Sequence, residues 1–501
     1  MNRQIKYGAL ISYVALFINI IIGLVYTPWM IRSIGKADYG LYTLAMSVIS
    51  LFVFDFGLSS AVTRFVSKYL AEGRQDKANQ LIGVTYKLYV TASVVIFVVL
   101  VGIFFFIPQI YKGLTPEELE KFKVLYVIAA SYSVLSFPFI PLDGIISANE
   151  KFIQLKLCNL AHKLIIVVAM SACLMLGYGL YALVIVNAAA GFGTIALKLL
   201  VVKKNTKMHT AWRFWDKDMF KAIVGFSVWV TISALAQRLV LNICPSILGM
   251  VANSQAIAVF GIAMTIEGYV YTFASAINGL FLPKVTQLNT SSDTDSILNL
   301  MIKVGRIQFY IIGAIFFGFI CFGRNFINVW VGPEYSEVYL CAILMVAPSF
   351  INLAQEIGNT TVIVKGEVKY SAYISLAKAG ANILLAFPLT YYFGVYGMAF
   401  SIFISYTIST ILYNILYNNR LRLNISVFFR ETLYKIALPM LVSVVAAYLP
   451  NFMLDNYGWG HLLIKMFFFG IVYMGIMFFF VMNTEEKHLL IGRTINKFNR
   501  K

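Results

Sequence analysis

Fourteen long apolar runs constrain the fold of this chain more than any other feature of its sequence. Each run is long enough to cross a bilayer, which takes about 20 mostly apolar residues. The runs lie at 9–31, 40–63, 83–107, 124–147, 153–176, 179–200, 222–248, 256–282, 304–323, 337–364, 370–392, 395–417, 433–450 and 460–482. Only 12% of the 501 residues are charged, against about 25% in soluble domains. The sequence therefore excludes an ordinary soluble enzyme and predicts an all-α, polytopic membrane protein with about 14 transmembrane helices.

The lysines and arginines concentrate in every second loop. With a cytoplasmic N-terminus, 30 of the 40 lie in cytoplasmic loops and helix ends, six lie on the opposite side and four lie inside apolar runs. This split follows the positive-inside rule and predicts that both termini are cytoplasmic. It also accounts for the formal net charge of +18, so the basic balance does not indicate a nucleic-acid partner.

A shift of 218 residues superposes parts of the two halves of the chain. The matching stretches are Tyr39–Tyr42 with Ile257–Phe260, Ala148–Phe152 with Gly366–Tyr370, and Tyr178–Leu180 with Tyr396–Met398. The shift moves span 1 onto span 7, an even step, so both copies enter the membrane from the same side as a parallel repeat. Two pseudo-symmetric six-helix lobes follow, with two C-terminal helices appended, which is an architecture of transporters.

The repeat gives a domain plan with four parts. The predicted parts are an N-terminal lobe over 1–204, a cytoplasmic linker over 205–221, a C-terminal lobe over 222–420, and spans 13 and 14 with a basic cytoplasmic tail over 421–501.

In the linker, Trp212 and Trp215 lie among Arg213, Lys217 and Lys221. This composition predicts a short amphipathic helix on the inner leaflet, with plain stop-transfer charge as the alternative.

Four basic residues are candidates for substrate binding, because an ionisable group deep in a bilayer is costly unless it faces a cavity or a partner. Lys163 in span 5 and Lys378 in span 11 lie near the membrane midplane, on similar faces of repeat-related helices. Arg238 lies deep in span 7, and Arg64 lies at the inner end of span 2. A cationic vestibule suits a pyrophosphate or an acidic sugar. Snorkelling, pairing with an acid or anchoring at the inner surface are the alternatives.

Three acids also lie in apolar runs: Asp55 in span 2, Glu267 in span 8 and Glu356 in span 10. They are candidates either for neutralising the cations or for binding and releasing H⁺ or Na⁺ during transport. The sequence does not choose between these roles.

Motifs for catalysis, nucleotide binding or metal binding are missing from the sequence. It contains no G-x-x-x-x-G-K-[ST], H-E-x-x-H or G-x-S-x-G, its five cysteines form no C-x-x-C pair and its four histidines are scattered. We therefore expect no cofactor, no metal and no enzymatic activity. Energy for transport would come from an ion gradient, the membrane potential or downstream consumption of the substrate.

The N-terminal region resembles a known family. The stretch Thr27–Tyr42, TPWMIRSIGKADYGLY, followed by Asp55–Leu58 and by Arg64-Phe65, is similar to the opening of bacterial polysaccharide transporters, the O-antigen and exopolysaccharide flippases. Further matches are Leu282–Lys284, Gly177–Leu180 and Gly394–Gly397. The resemblance implies membership of the superfamily that also holds multidrug exporters and the lipid II flippase, with two six-helix lobes in a V around a central cavity.

The same resemblance implies a function. The substrate would be an undecaprenyl-pyrophosphate-linked oligosaccharide, moved from the inner to the outer leaflet of the bacterial inner membrane before polymerisation, for O-antigen (lipopolysaccharide), capsule or exopolysaccharide synthesis. The implied partners are this lipid-linked substrate, membrane lipids and the polysaccharide polymerase machinery. From the family's cationic cavity only the residue type carries over, onto Lys163, Arg238, Lys378 and Arg64.

Two other functions compete with this one. A cation-coupled multidrug exporter of the same superfamily would favour twelve spans and a cavity for cationic drugs, so the deep basic residues and two additional spans speak against it. A membrane glycosyltransferase or polymerase would usually have a large extramembrane loop or an acidic catalytic pair. The longest loops of this chain have only about 20 residues.

Overall fold

A computed structural model describes residues 20–53, 55, 57–278, 281–290, 293–447 and 458–488. Throughout these residues the regular secondary structure is helical, which confirms the all-α class. The helices are α1 (Ile20–Ile34), α2 (Lys36–Phe52), α3 (Leu58–Ala71), α4 (Gln75–Ile110), α5 (Pro116–Ser136), α6 (Leu142–Ala148), α7 (Phe152–Met175), α8 (Leu180–Asn205), α9 (Lys217–Leu241), α10 (Cys244–Val251), α11 (Ser254–Asn278), α12 (Leu282–Thr290), α13 (Thr294–Trp330), α14 (Val338–Ala354), α15 (Glu356–Val364), α16 (Val368–Asn419), α17 (Ile425–Glu431), α18 (Leu433–Ala447) and α19 (Trp459–Ile476).

Nine of the described helices are long and apolar enough to cross a membrane, or ten if the bent pair α14 and α15 is one span. The described part of each of the fourteen predicted spans is nevertheless mainly helical. The number of helices differs from the number of spans because some spans contain two helices and α16 contains two spans. The number of crossings and the side on which the termini lie stay predictions. The basic tail beyond residue 488 lies outside the described residues.

Glycines mark the breaks in the helices. Gly394 has non-helical backbone angles, φ 56° and ψ −135°, within α16, so it divides that helix into two arms where the sequence places the boundary between spans 11 and 12. Gly57, at φ 69°, lies in the break between α2 and α3 in span 2. A residue with positive φ is strained unless it is glycine, which explains the residue type at both breaks.

The helix order repeats along the chain. α4 begins at Gln75 and α13 at Thr294, a step of 219 residues. The turns after α6 and α15 both have a residue with positive φ, Glu150 at 57° and Gly366 at 76°. In both turns the N–H of the following residue donates to the carbonyl five residues back, which is a Schellman turn. The turns thus pair at an offset of 216 residues, two fewer than the offset that aligns the sequences.

Contacts divide the chain into two compact units. Unit 1 contains Met1–Met264 and Val368–Ser405, and unit 2 contains Thr265–Glu367 and Tyr406–Lys501. The lobe and linker boundaries that the sequence repeat predicts stay predictions.

In unit 1, a ladder of hydroxyl groups joins α3 to α6 and the turn before it. The hydroxyls of Ser59, Thr63 and Ser67 donate to the carbonyls of Ile140, Gly144 and Ala148 over 3.4, 3.2 and 3.3 Å. A Cβ at Gly144 would lie only 2.5 Å from the carbonyl oxygen of Ser59. The missing side chain therefore permits the close helix contact, as small residues do in membrane helix pairs.

In unit 2, one buried arginine joins four segments. Arg306 of α13 forms an ion pair with Glu486, at 2.6 Å between Nε and Oε1 and 3.0 Å between Nη2 and Oε2. It also donates to the carbonyls of Glu431 and Val481 and to the hydroxyl of Tyr310. The helical turn at 484–488 is thereby attached to α13. The same guanidinium also binds the end of α17 at Glu431 and the segment after α19 at Val481.

Candidate functional site

Asp55 lies in the break of span 2, where it is half-buried. Its Oδ1 accepts hydrogen bonds from the hydroxyl of Tyr89, at 2.8 Å, and from the N–H of Ser59, at 3.0 Å. The first N–H groups of a helix lack partners within the helix and carry a partial positive charge. The carboxylate thus stabilises the start of α3, and the fully buried Tyr89 fixes its position.

Arg238 lies at the other side of the same break. Its Nη1 donates to the carbonyl of Ser50, at 3.2 Å, in the last turn of α2. Carbonyl groups at the end of a helix favour a cation. Asp55 therefore caps the helix that follows the break in span 2, and Arg238 caps the helix that precedes the break.

α9, which carries Arg238, also packs against the break itself. A Cβ at Gly57 would lie 2.7 Å from a side-chain methyl of Val230, and the hydroxyl of Ser227 donates to the carbonyl of Gly57 over 3.4 Å. The absence of a side chain at Gly57 thus serves the packing as well as the positive φ.

Lys378 lies on the helix that runs beside α9. The rings of Trp229 and Tyr373 contact at 5.5 Å between centroids, and Asn382 donates to the carbonyl of Val240 at 2.9 Å. These contacts show that α9 and the first arm of α16 run in the same direction. Arg238 and Lys378 both lie between the two contact levels. Three of the predicted residues, Asp55, Arg238 and Lys378, are therefore placed on α9 or on its neighbours.

Lys163 and Lys378, which lie on helices that the repeat relates, have different environments. Lys378 is only 8% exposed and makes a polar or electrostatic contact, whereas Lys163 on α7 is exposed. Arg64 on α3 is also exposed, with its guanidinium 6.0 Å from the ring centroid of Phe65.

Two of the predicted acids, Glu267 and Glu356, lie in unit 2. Glu267 on α11 is 8% exposed, and Glu356, the first residue of α15, accepts a hydrogen bond from Asn359 at 3.1 Å. The hydroxyl of Tyr271 interacts electrostatically with both carboxylates. Spans 8 and 10 thus each carry one of the predicted acids, and both carboxylates act on Tyr271 through space.

Sequence reasoning missed Tyr89 and Tyr271. Tyr271 follows Glu267 by four residues on one helix, so helical spacing could have indicated it. Tyr89 is 34 residues from Asp55 and on another helix, so no local spacing pairs them. Among the described residues, no three His, Cys, Asp or Glu side chains are grouped as a metal site would need.

Residues 5–288 match the family model described as polysaccharide biosynthesis protein. The chain belongs to this family. The match includes spans 1 to 8, with the interrupted span 2 and with α9, and it agrees with the family expected from the motif at Thr27–Tyr42.

Relatives in the curated proteins agree with the family. The membrane protein EpsK of Bacillus subtilis, which is described as uncharacterized, is 21% identical over 436 residues, or 84% of each chain. A candidate O-antigen transporter of Shigella dysenteriae is 31% identical over 104 residues, 20% of this chain and 26% of its own.

Solved structures share the fold at low identity. The lipid II flippase MurJ in an inward closed conformation has a TM-score of 0.68 at 14% identity and covers 97% of this chain and 99% of its own. An inward-facing multidrug resistance transporter of the MATE family and the MOP superfamily has a TM-score of 0.66 at 14% identity and covers 84% and 99%. Together with the family, these matches confirm the prediction of a multi-pass polysaccharide transporter in that superfamily.

Proposed function

We propose that the protein is a flippase for an undecaprenyl-pyrophosphate-linked oligosaccharide. It moves this substrate from the cytoplasmic to the outer leaflet of a bacterial inner membrane by alternating access, for O-antigen, capsule or exopolysaccharide synthesis. The observation that carries the proposal is the polysaccharide biosynthesis family match over residues 5–288. Support also comes from the fold of the lipid II flippase, which extends over 97% of the chain.

The charged residues have distinct roles in this proposal. Arg238 and Lys378, on the neighbouring helices α9 and α16, bind the pyrophosphate, because guanidinium and ammonium groups form strong charge-assisted hydrogen bonds with phosphate oxygens. Lys163 and Arg64 are exposed and extend the positive charge along the substrate's route. Among the described residues, Arg238 donates to the end of α2 through Nη1, and the other donors of its guanidinium are the ones that would bind the ligand.

The acids balance these charges or couple transport to an ion. Asp55 lies at the same break as Arg238 and compensates part of its charge. Glu267, which is buried, and Glu356, which accepts a hydrogen bond from Asn359, are the stronger candidates for ion coupling.

Translocation in proteoliposomes tests the function directly. The purified protein is reconstituted with a fluorescent undecaprenyl-pyrophosphate-linked oligosaccharide, and the fraction accessible to an external glycosidase is followed over time. We expect protein-dependent exposure of internal substrate, slowed at least about tenfold in Arg238→Gln, which corresponds to the loss of one charge-assisted contact. Equal exposure with and without protein would reject the proposal.

In cells, deletion of the protein should make lipid-linked intermediates accumulate on the cytoplasmic leaflet.

A cation-coupled multidrug exporter is the second candidate. The MATE-like fold over 84% of the chain and the acids Glu267 and Glu356 in spans 8 and 10 favour it. It predicts that deletion raises susceptibility to cationic drugs while surface polysaccharide is retained. The flippase predicts the reverse pattern, so the same deletion strain separates the two functions.

A further inference from the structure

The segment between α8 and α9 is held tightly against α4. The N–H of His209 donates to Asn79 Oδ1 at 2.9 Å, and Lys87 Nζ donates to the carbonyl of Phe214 at 3.0 Å. A Cβ at Gly83 would lie 2.3 Å from the carbonyl oxygen of Ala211, so the two backbones touch. The segment is irregular and becomes helical only at Lys217, which makes the predicted amphipathic helix wrong for residues 206–216.

Two large aromatic side chains project from this fixed segment. Trp212 is 55% exposed and Trp215 is 53% exposed. Tyr86 contacts Trp212 at 5.7 Å between ring centroids, and Phe220 contacts Trp215 at 5.5 Å. Each tryptophan is therefore supported by a neighbouring ring and remains about half exposed, and the ammonium of Lys87 lies 5.9 Å from the ring centroid of Trp215. Indoles placed in this way prefer the headgroup level of a membrane.

Positive charge surrounds the two tryptophans. Residues 203–221 contain six basic and two acidic side chains, and the six basic ones are all exposed: Lys203, Lys204, Lys207, Arg213, Lys217 and Lys221. One of the acids is already engaged, because Asp216 Oδ1 accepts the N–H groups of Asp218 and Met219 at the start of α9. The cationic surplus thus remains available to an external anion.

We propose that residues 203–221 form a docking surface for anionic phospholipid headgroups on the membrane side that the charge split predicts to be cytoplasmic. The indoles of Trp212 and Trp215 enter the headgroup layer, and the basic residues bind the lipid phosphates. Indoles and clustered cations together give selective binding to anionic leaflets. The contacts with α4 hold both groups at a set depth. This inference does not depend on the transported substrate.

The docking surface is tested by fluorescence quenching. The full-length protein is reconstituted in nanodiscs of phosphatidylcholine and phosphatidylglycerol at a fixed ratio, with bromine on the chains of one lipid or the other. The quantity measured is the tryptophan quenching lost on the double substitution Trp212→Phe and Trp215→Phe. We expect this quenching to be at least about twofold greater with brominated phosphatidylglycerol.

Two triple variants with equal charge loss identify the cause. Arg213→Gln, Lys217→Gln and Lys221→Gln together should bring the ratio of the two quenching values close to one. Lys68→Gln, Lys156→Gln and Arg420→Gln remove three exposed cations from the same predicted side and should leave the ratio unchanged. Equal quenching by both lipids in the unmodified protein, no quenching by either, or an equal effect of the control would overturn the proposal.

Discussion

Arg306 and Glu486 form a buried, bidentate ion pair across 180 residues of sequence. Their side chains are 9% and 4% exposed. The N–H of Asn483 also donates to Glu486, whose own N–H donates to Asn483 Oδ1, so a reciprocal capping box begins the turn at 484–488. The pair therefore joins span 9 to the segment that follows span 14.

Removing one partner of this pair should strongly destabilise unit 2. Glu486→Ala leaves a buried guanidinium without its counter-charge, and we expect a loss of about 3–5 kcal/mol. Thermal unfolding of the protein in detergent measures the change. The neighbouring Lys303–Glu485 pair is 48% and 76% exposed, so Lys303→Gln is the matched control and should leave the unfolding midpoint almost unchanged. Equal effects of the two variants would contradict the structure.

The ion pair that attaches the helical turn at 484–488 to α13 should be lost in acid. Burial of Glu486 opposes its ionisation, but hydrogen bonds from Arg306 and from the N–H of Asn483 prevail and hold the pKa of Glu486 below its ordinary 4.5. A group with a lowered folded pKa stabilises the folded state above its unfolded pKa, and this contribution is lost as the pH falls through the folded pKa. Unfolding midpoints between pH 7 and pH 3 should fall less steeply in Glu486→Gln. If the unfolding midpoints of the unmodified protein and of Glu486→Gln fell in parallel, the ionisation of Glu486 would not contribute to stability in this pH range.

The hydroxyl ladder between α3 and α6 should tolerate no side chain at Gly144. Gly144→Ala forces the Ser59 carbonyl away from a position 2.5 Å from the new Cβ, at a cost of about 1–3 kcal/mol. Gly102→Ala is the control, because nothing lies within 4 Å of its Cβ position. Unfolding in detergent compares the two variants, and an unaltered midpoint for Gly144→Ala would show that the helices are farther apart.

Lys163 and Lys378 should separate transport from stability. Lys163 is exposed, so Lys163→Ala should change the free energy of unfolding by no more than about 0.5 kcal/mol while it slows translocation. Lys378 is buried, so Lys378→Ala should lower both. Proteoliposome translocation and thermal unfolding are measured on the same preparations. Full transport by both variants at normal expression would remove the lysines from the proposed substrate site.

Much of the fold follows from local patterns. The apolar runs predict the helices, and Gly394 separates spans 11 and 12 where the sequence places their turn. The pairing of charges is less predictable. Arg306 counts only as one of the cytoplasmic charges in the sequence, yet it lies 8% exposed at the junction of four segments. Lys163 and Lys378 lie on helices that the repeat relates and still differ in burial.

The sequence by itself determined that this protein is helical, crosses the membrane many times and belongs to a polysaccharide transporter family. Run length, residue type and motif are properties of adjacent residues, and they suffice for these conclusions. Only the tertiary structure decided that Asp55 meets Tyr89, that Arg238 caps the end of α2 and that Glu486 meets Arg306. Such pairs depend on which helix faces are packed together, and no spacing within a single run records that choice.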